Sequence, residues 1–419
     1  MTRTRTTRAV AVALALGLVA AACGGDDDAP PATEAPAPAP DDTDDADDVD
    51  DAHDADDADD ADADDGEAVD DGDVDETAAV DLSGVCPSPL VIQTDWFPES
   101  EYGPTYKLIG EPYTIDVGEK TVTGPLWDQG QPTGIDVEVR TGGPAIGFAE
   151  PRVQMYSDDS IHIGYSSLDA AALTWTDAPL VSVVAMLDIN PQIIMWDPEV
   201  WPEVETLADL GEAGVVINVF AGGGFSEVFV AQGIWSADQV DPSYDGSPAR
   251  FIAEGNIAQQ GFASAEPYLY EVEFTDFGRR PAFQLLHDAG YETYSQTLAV
   301  RPDTLEDLRP CLELFVPVFQ RAIVGYVENP DRTNELIVDA VETFDDFWVY
   351  DMGVANYAVE TIRELGLMGN GPDDTAGNFQ LDRIDGVLDD IRDAGASVPD
   401  DLTAADLVTN EFIDPTIGL

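Results

Sequence analysis

Residues 94–106 (TDWFPESEYGPTY) put four aromatic and three acidic side chains into thirteen positions. Buried carboxylates need partners, so a plain core segment would not carry three of them, and the stretch reads as the rim of a binding cleft. Asp95 offers an acceptor and Trp96 a flat face for stacking. Pro98 keeps Phe97 extended, which leaves Trp96 free to project. Tyr102 and Tyr106 lie four apart, one helical turn.

Three further segments carry binding chemistry. In 165–169 (YSSLD) the hydroxyls of Ser166 and Ser167 precede a helical stretch, as caps or as ligand donors. In 221–226 (AGGGFS) Gly222, Gly223 and Gly224 let backbone N–H groups approach a ligand at a helix start, with Phe225 and Ser226 following. No Gly-Lys-Ser/Thr follows and the GxGxxG pattern is absent, so this is neither a P-loop nor a dinucleotide fingerprint; a flexible turn is the plain alternative. In 262–268 (FASAEPY) Glu266 can accept from a ring amine or stay solvated, with Tyr268 beside it.

Catalytic chemistry finds less support. Lys107 and Lys120 are the only lysines, and His53, His162 and His287 the only histidines. His53 falls in an acidic tract, His162 in the middle of a strand, where a satisfied core histidine is expected, and His287 at a helix end, where a cation is favourable. No Ser-His-Asp order, metal cluster or HExxH motif occurs, and no cofactor or metal is expected. The Asp runs suggest calcium loops, but windows set on Gly66 and Gly72 lack the acids in register.

The elements that must position these residues alternate. Strands are expected at 90–93, 134–140 (strictly alternating), 161–165, 180–187, 215–220, 262–263 and 298–300, and helical pieces at 170–175 and 226–234. Helices then dominate: 305–326, 334–349, 354–365 and 379–394. This order predicts an α/β fold with mostly parallel sheets and a helical C-terminal part. In such sheets ligands sit beyond the C-terminal strand ends, which is where all four segments fall.

The charge is uneven. Residues 24–81 hold 27 of the 85 acids and no base; from residue 82 onward 58 acids face 14 of the 17 bases. That balance argues against nucleic acid or an anionic membrane surface as partner. Residues 1–22 read as an export signal: Arg3, Arg5 and Arg8, then an apolar stretch ending Ala-Ala-Ala before Cys23. Small residues before a Cys suggest a lipoprotein box with Cys23 lipidated, which would place the chain outside the cytoplasm on the cell membrane. Residues 23–83, rich in Asp, Ala and Pro, read as a disordered acidic tether. Cys86 and Cys311 remain, an even pair expected to form one disulfide in an oxidising compartment.

Taken in order, LVIQTDWFPESEYGPTYKLIG, GIDVEVRTGGPAIG, DDSIHIGYSSLDAA, AGVVINVFAGGGFSEVFVAQG and GFASAEPYLYE resemble the periplasmic solute-binding proteins of ABC importers, over about residues 88–400. The W-x-P…G-x-x-Y pattern is similar to the branch serving nitrate, sulfonate, taurine and thiamine-pyrimidine precursors, the pyrimidine members above all. The resemblance implies a type II two-lobed fold, with 84–182 and 299–419 as the first lobe, 183–298 as the second, and two strands crossing at the hinge. It implies a monomer that clamps a small ligand and docks on a membrane permease. Trp96 would stack on a flat ring, Ser166 and Ser167 would donate from the first lobe, residues 222–226 would hold a polar group, and Glu266 and Tyr268 would close the cleft. Relatives often carry His where Tyr102 stands. A sulfonate- or nitrate-type anion, a pyrimidine-synthase-like enzyme and a binding module for a membrane sensor are the rival readings; the acidic balance favours a neutral or cationic aromatic ligand over an anion.

Overall fold

The computed structural model describes residues 80–419. The expected export signal, the expected lipidation site Cys23 and all but the last residues of the expected tether lie outside the described residues.

Twelve strands form two sheets. The first contains β1 (Leu90–Gln93), β2 (Thr114–Asp116), β3 (Thr121–Asp128), β4 (Gln131–Arg140), β5 (Ile163–Ser166) and β6 (Val181–Ala185). The chain then builds the second from β7 (Gln192–Trp196), β8 (Ile217–Asn218), β9 (Val240–Asp241), β10 (Ala258–Phe262) and β11 (Ala282–Leu285), and returns to the first with β12 (Thr297–Val300). The orders are β2-β3-β4-β1-β5-β12-β6 and β11-β7-β10-β8-β9. The α/β class is as expected, but parallel pairing is confined to β4-β1-β5 and β10-β8-β9; the other six pairings are antiparallel.

Side-chain pattern explains these roles. β1 (LVIQ) is buried at every position, the signature of an interior parallel strand covered on both faces. β4 buries Ile135, Val137 and Val139 and turns Asp136 and Glu138 outward, the period-two pattern of a strand with one wet face. Helix Leu305–Glu328 drives Leu312, Phe315, Phe319 and Ile323 into the first core, each such burial contributing about 1.5–3 kcal/mol. It is long and apolar enough to cross a membrane by length and composition, yet that apolar face is buried in this core, where the helix packs against Gly103–Lys107, β3 and β6.

Cys311, on this helix, is bonded to Cys86, 225 residues earlier. A second core gathers Ile217, Phe229, Trp235 and Tyr291. Helix Leu381–Asp393 joins this second core through Ile384, Leu388 and Ile391, so the C-terminal helical part is shared between the two cores rather than confined to the first.

Candidate ligand cleft

The four expected binding segments follow β1, β5, β8 and β10. β1 and β5 are parallel neighbours in the first sheet, and β10 and β8 are parallel neighbours in the second. All four segments thus leave C-terminal strand ends, and cross-sheet contacts bring them together.

The loop after β1 is clamped at its base. Gln93 Nε2 donates to the carbonyls of Thr94 and Arg140, and the Thr94 hydroxyl donates to the Trp96 carbonyl at 2.9 Å. The N–H groups of Gly142 and Gly143 donate to the Trp96 and Asp95 carbonyls at 3.0 and 2.9 Å. A Cβ at Gly142 would lie 2.3 Å from the Asp95 carbonyl carbon, so only glycine lets the loop after β4 lie against this one.

Trp96, half-buried, is surrounded by four rings: Phe97, Phe148, Phe220 and Trp348, with centroids 5.6–6.2 Å away. Their planes are tilted 49–90° from the indole, so none stacks face to face on it. Phe220 follows β8, and it packs on Tyr244 at 4.6 Å. Trp96 therefore bridges the loop ends of both sheets. Phe148 and Phe347 stand 59% exposed beside this cluster, forming an apolar mouth.

Beside the rings lie four carboxylates. Asp95 accepts from the Tyr102 hydroxyl at 2.8 Å. Glu101, 1% exposed, accepts from the Ser264 hydroxyl, a direct bond from the loop after β1 to the loop after β10. Glu266 accepts from the Phe262 N–H at 2.7 Å and folds over Gly261, where a Cβ would meet its Cγ at 2.9 Å. Glu99, 6% exposed, takes no capping hydrogen bond and has Glu101, Glu266 and Asp95 as charged neighbours.

None of the four is within ion-pair distance of an Arg, Lys or His among the described residues. Burial, first of all, raises every one of them. Asp95 is pushed up to about 6, with Glu150 adding and the Tyr102 bond opposing. Glu266 is pushed up to about 7, against the Phe262 N–H and with Glu101 adding. Glu99 is raised well above the usual range by burial and the other three charges, and Glu101 is raised by burial against its Ser264 bond.

The other expected residues divide. Tyr102 and Tyr106 are fully buried in the first core; Tyr102 reaches the cleft only through its hydroxyl on Asp95, and Tyr106 ends in an unpartnered hydroxyl. Ser167 donates to Asp169, whose other oxygen accepts from Tyr291 at 2.8 Å. Ser166 makes only a 3.3 Å bond to the Ser167 carbonyl. Gly222 is exposed with φ +87°, while Gly224 lies beneath Tyr291 and Asp169. Phe225 turns into the second core against Phe229 and Trp235, because helix Gly224–Ala231 buries that face. Ser226 closes its own turn on the Gly223 carbonyl at 3.1 Å. Tyr268 stacks on Tyr357 at 5.5 Å.

Sequence reasoning passed over Glu99, Glu101, Phe148, Phe220 and Trp348. Of the histidines, His162 Nδ1 accepts from the Val91 N–H at 3.1 Å, and His287 lies in a turn after β11 rather than at a helix end.

No protein-family model matches the chain, and no curated protein matches it. Among solved structures, the periplasmic nitrate-binding protein of Synechocystis PCC 6803 aligns with a TM-score of 0.50 at 11% identity, over 78% of this chain and 88% of that one. The alkanesulfonate-binding protein of Xanthomonas axonopodis pv. citri, bound to MOPS, aligns with a TM-score of 0.48 at 12% identity, over 77% and 99%. At these identities the likeness is one of fold, and the chain has the mixed α/β fold of the periplasmic binding proteins.

Proposed function

We propose that this chain is the extracytoplasmic solute-binding subunit of an ABC importer, held to the membrane by lipid on Cys23. It clamps a small flat ligand of the thiamine-pyrimidine-precursor kind. The observation that carries the reading is Trp96, ringed by aromatic side chains from both sheets yet stacked face to face by none of them. A planar ligand on that indole face would gain stacking and apolar burial together.

The lobes of this reading are 84–182 with 299–419, and 183–298, with helix Leu381–Asp393 packing on the core of the second; they join where the chain crosses between sheets at 186–191 and 286–296. Ligand that touches both sets of strand ends shifts an open–closed equilibrium, because only the closed arrangement gives it both sets of contacts. The closed face then docks on the permease. The four carboxyl groups weigh against a nitrate- or sulfonate-type anion here, since each repels it at short range when ionised and an anion would raise them further. A non-enzymatic role fits the lysines: Lys107 and Lys120 donate to the Asn329 and Phe344 carbonyls, Lys120 also pairs with Asp346, and neither pairs with a cleft acid.

The test is a thermal-shift screen of the full chain against pyrimidines, amino-sulfonates, nitrate, taurine and polyamines. Ligand binding the folded state alone raises Tm. A selective rise with a pyrimidine is expected; a rise with nitrate or taurine alone would replace the ligand class, and no rise with any solute would count against the receptor reading.

A further inference from the structure

Resting on that receptor reading, we infer that the cleft selects an organic ammonium ion: a protonated amine whose N–H groups are received by Glu99 and Glu101, with its apolar body against Trp96. Two independent features converge on this chemistry.

The first is the placement of charge. Asp95, Glu99 and Glu101 come from the loop after β1, and Glu266 from the loop after β10, so negative charge enters from both sides of the cleft. Among the described residues no cation lies within ion-pair distance of it. Elsewhere among the described residues acids of this chain do find arginines: Asp128 with Arg321, Asp197 with Arg279 and Asp188 with Arg383. Buried charge without an ion-pair partner is costly. Asp169, the other buried acid without an arginine, is held by two hydroxyls on its two oxygens, whereas the Glu99 carboxylate accepts no hydrogen bond and Glu101 Oε2 has no partner.

The second is the character of the orphaned polar atoms. Glu101 Oε2 is buried without a hydrogen-bond partner. Gln296, 3% exposed and set against the Tyr102 hydroxyl that holds Asp95, has an unpartnered Oε1. Both are acceptors, and what an acceptor lacks is an N–H or O–H donor; the unpartnered Trp348 Nε1 of the ring cluster is a donor and calls for an acceptor on the same ligand, away from its charged nitrogen. A nitrate or sulfonate brings only acceptors; an ammonium brings up to three donors and a charge.

Among the described residues no group of three acidic, His or Cys side chains is placed to hold a metal ion. The indole face of Trp96, next to Asp95 in the chain and stacked by no ring, attracts an organic ammonium by cation–π interaction.

Proton linkage supplies a further readout. The groups facing these acids are Glu150, Tyr102 and Tyr165 at Asp95, Tyr102, Tyr106 and Tyr350 at Glu99, Tyr326 and Tyr350 at Glu101, and Tyr244 and Tyr270 at Glu266; the tyrosines stay neutral because burial pushes them up. A cation entering below neutral pH therefore displaces protons from carboxyl groups.

The experiment uses the full chain and matched probes: benzylamine, benzyl alcohol and benzoate; 1,4-diaminobutane, 1,4-butanediol and succinate; and 5-aminomethyl- against 5-hydroxymethyl-4-aminopyrimidine. Thermal shift ranks them, and calorimetry in two buffers of different ionisation enthalpy measures proton release. Expected are a larger Tm rise for the ammonium member of at least one set than for its neutral partner, no rise with the carboxylates, and proton release near pH 6.5. The E99Q/E101Q variant should lose at least tenfold in ammonium affinity while its unliganded Tm stays at or above wild type. Equal or greater rises with neutral or anionic members would overturn the charge assignment and leave the receptor reading standing. Failure of every probe, whatever its charge, would remove both. An ammonium response unchanged in E99Q/E101Q would overturn the assignment of these two residues.

Discussion

Two populations of carboxylates share this chain, and they differ in everything but chemistry. On the surface, Asp303 is held below its ordinary range by the Arg301 guanidinium, and Glu306 by Arg309. Asp158 is lowered by hydrogen bonds from Ser160, with Arg140 assisting. In the cleft, Asp95, Glu99, Glu101 and Glu266 are all raised, by burial before anything else. A net charge of −68 therefore says little about the site. Many of the described acids are solvated or paired, and solvated pairs contribute little to stability. The informative carboxylates are the few that the fold buries and leaves open.

The largest expected effect tests whether the frame under the cleft is separate from it. Reducing Cys86–Cys311 opens a loop of 225 residues and should lower stability by about 2–5 kcal/mol, chiefly by freeing the unfolded chain. Thermal melts with and without reductant measure this. Ligand selectivity among whatever remains folded should not change; if it does, frame and cleft are one unit. Two reactive thiols in the untreated protein would contradict the bond itself.

A matched pair of substitutions comes next. E101Q removes a buried charge and should raise the unliganded Tm at about pH 8 by about 2–6 °C. E306Q, at the surface, should move it by about 1 °C or less. Equal effects would erase the distinction between the two populations.

The smallest effect is in pH. Asp95 and Glu266 rise from 3.8 to about 6 and from 4.5 to about 7 on folding. Between those limits the folded protein binds more protons than the unfolded chain, so stability falls as pH rises through the window. Unliganded Tm should be higher near pH 5.5 than near pH 8 by about 2 °C or more, and E266Q should flatten that slope. Ammonium binding should run the other way, strengthening toward pH 8. A slope unaltered in E266Q would place its origin in the other raised acids, Asp95, Glu99 and Glu101.

The fold was largely legible because its signals are local. β1 is a continuous apolar run with exact ends, β4 alternates, and the long helices carry apolar stripes. β3 and β7 were not foreseen: Gly124 and Pro125 interrupt the first, and the second hides behind Pro191. The register at β3 shifts at that point, between Pro125 and Trp127. Within the site, Trp96 and Asp95 were legible from type and spacing, and Glu266 from its place after a strand. Glu99 and Glu101 stood in the same thirteen residues, but their importance lies in burial without a partner, which is a property of the tertiary structure. Tyr106 and Phe225 failed in the opposite direction: an aromatic residue near a cleft carries no local mark of the side it faces. Phe220 and Trp348 reach Trp96 from 124 and 252 residues away along the chain, a distance no local pattern spans.

The most direct test of the central claim, that residues 94–106 form the rim of a ligand cleft, is calorimetric titration of wild type and W96A with the best solute from the thermal-shift screen. The account predicts an affinity loss of about 2–4 kcal/mol, on the order of 30- to 1,000-fold, with the unliganded Tm nearly unchanged. Unchanged affinity with a clearly lowered Tm would make Trp96 a core residue and contradict the account.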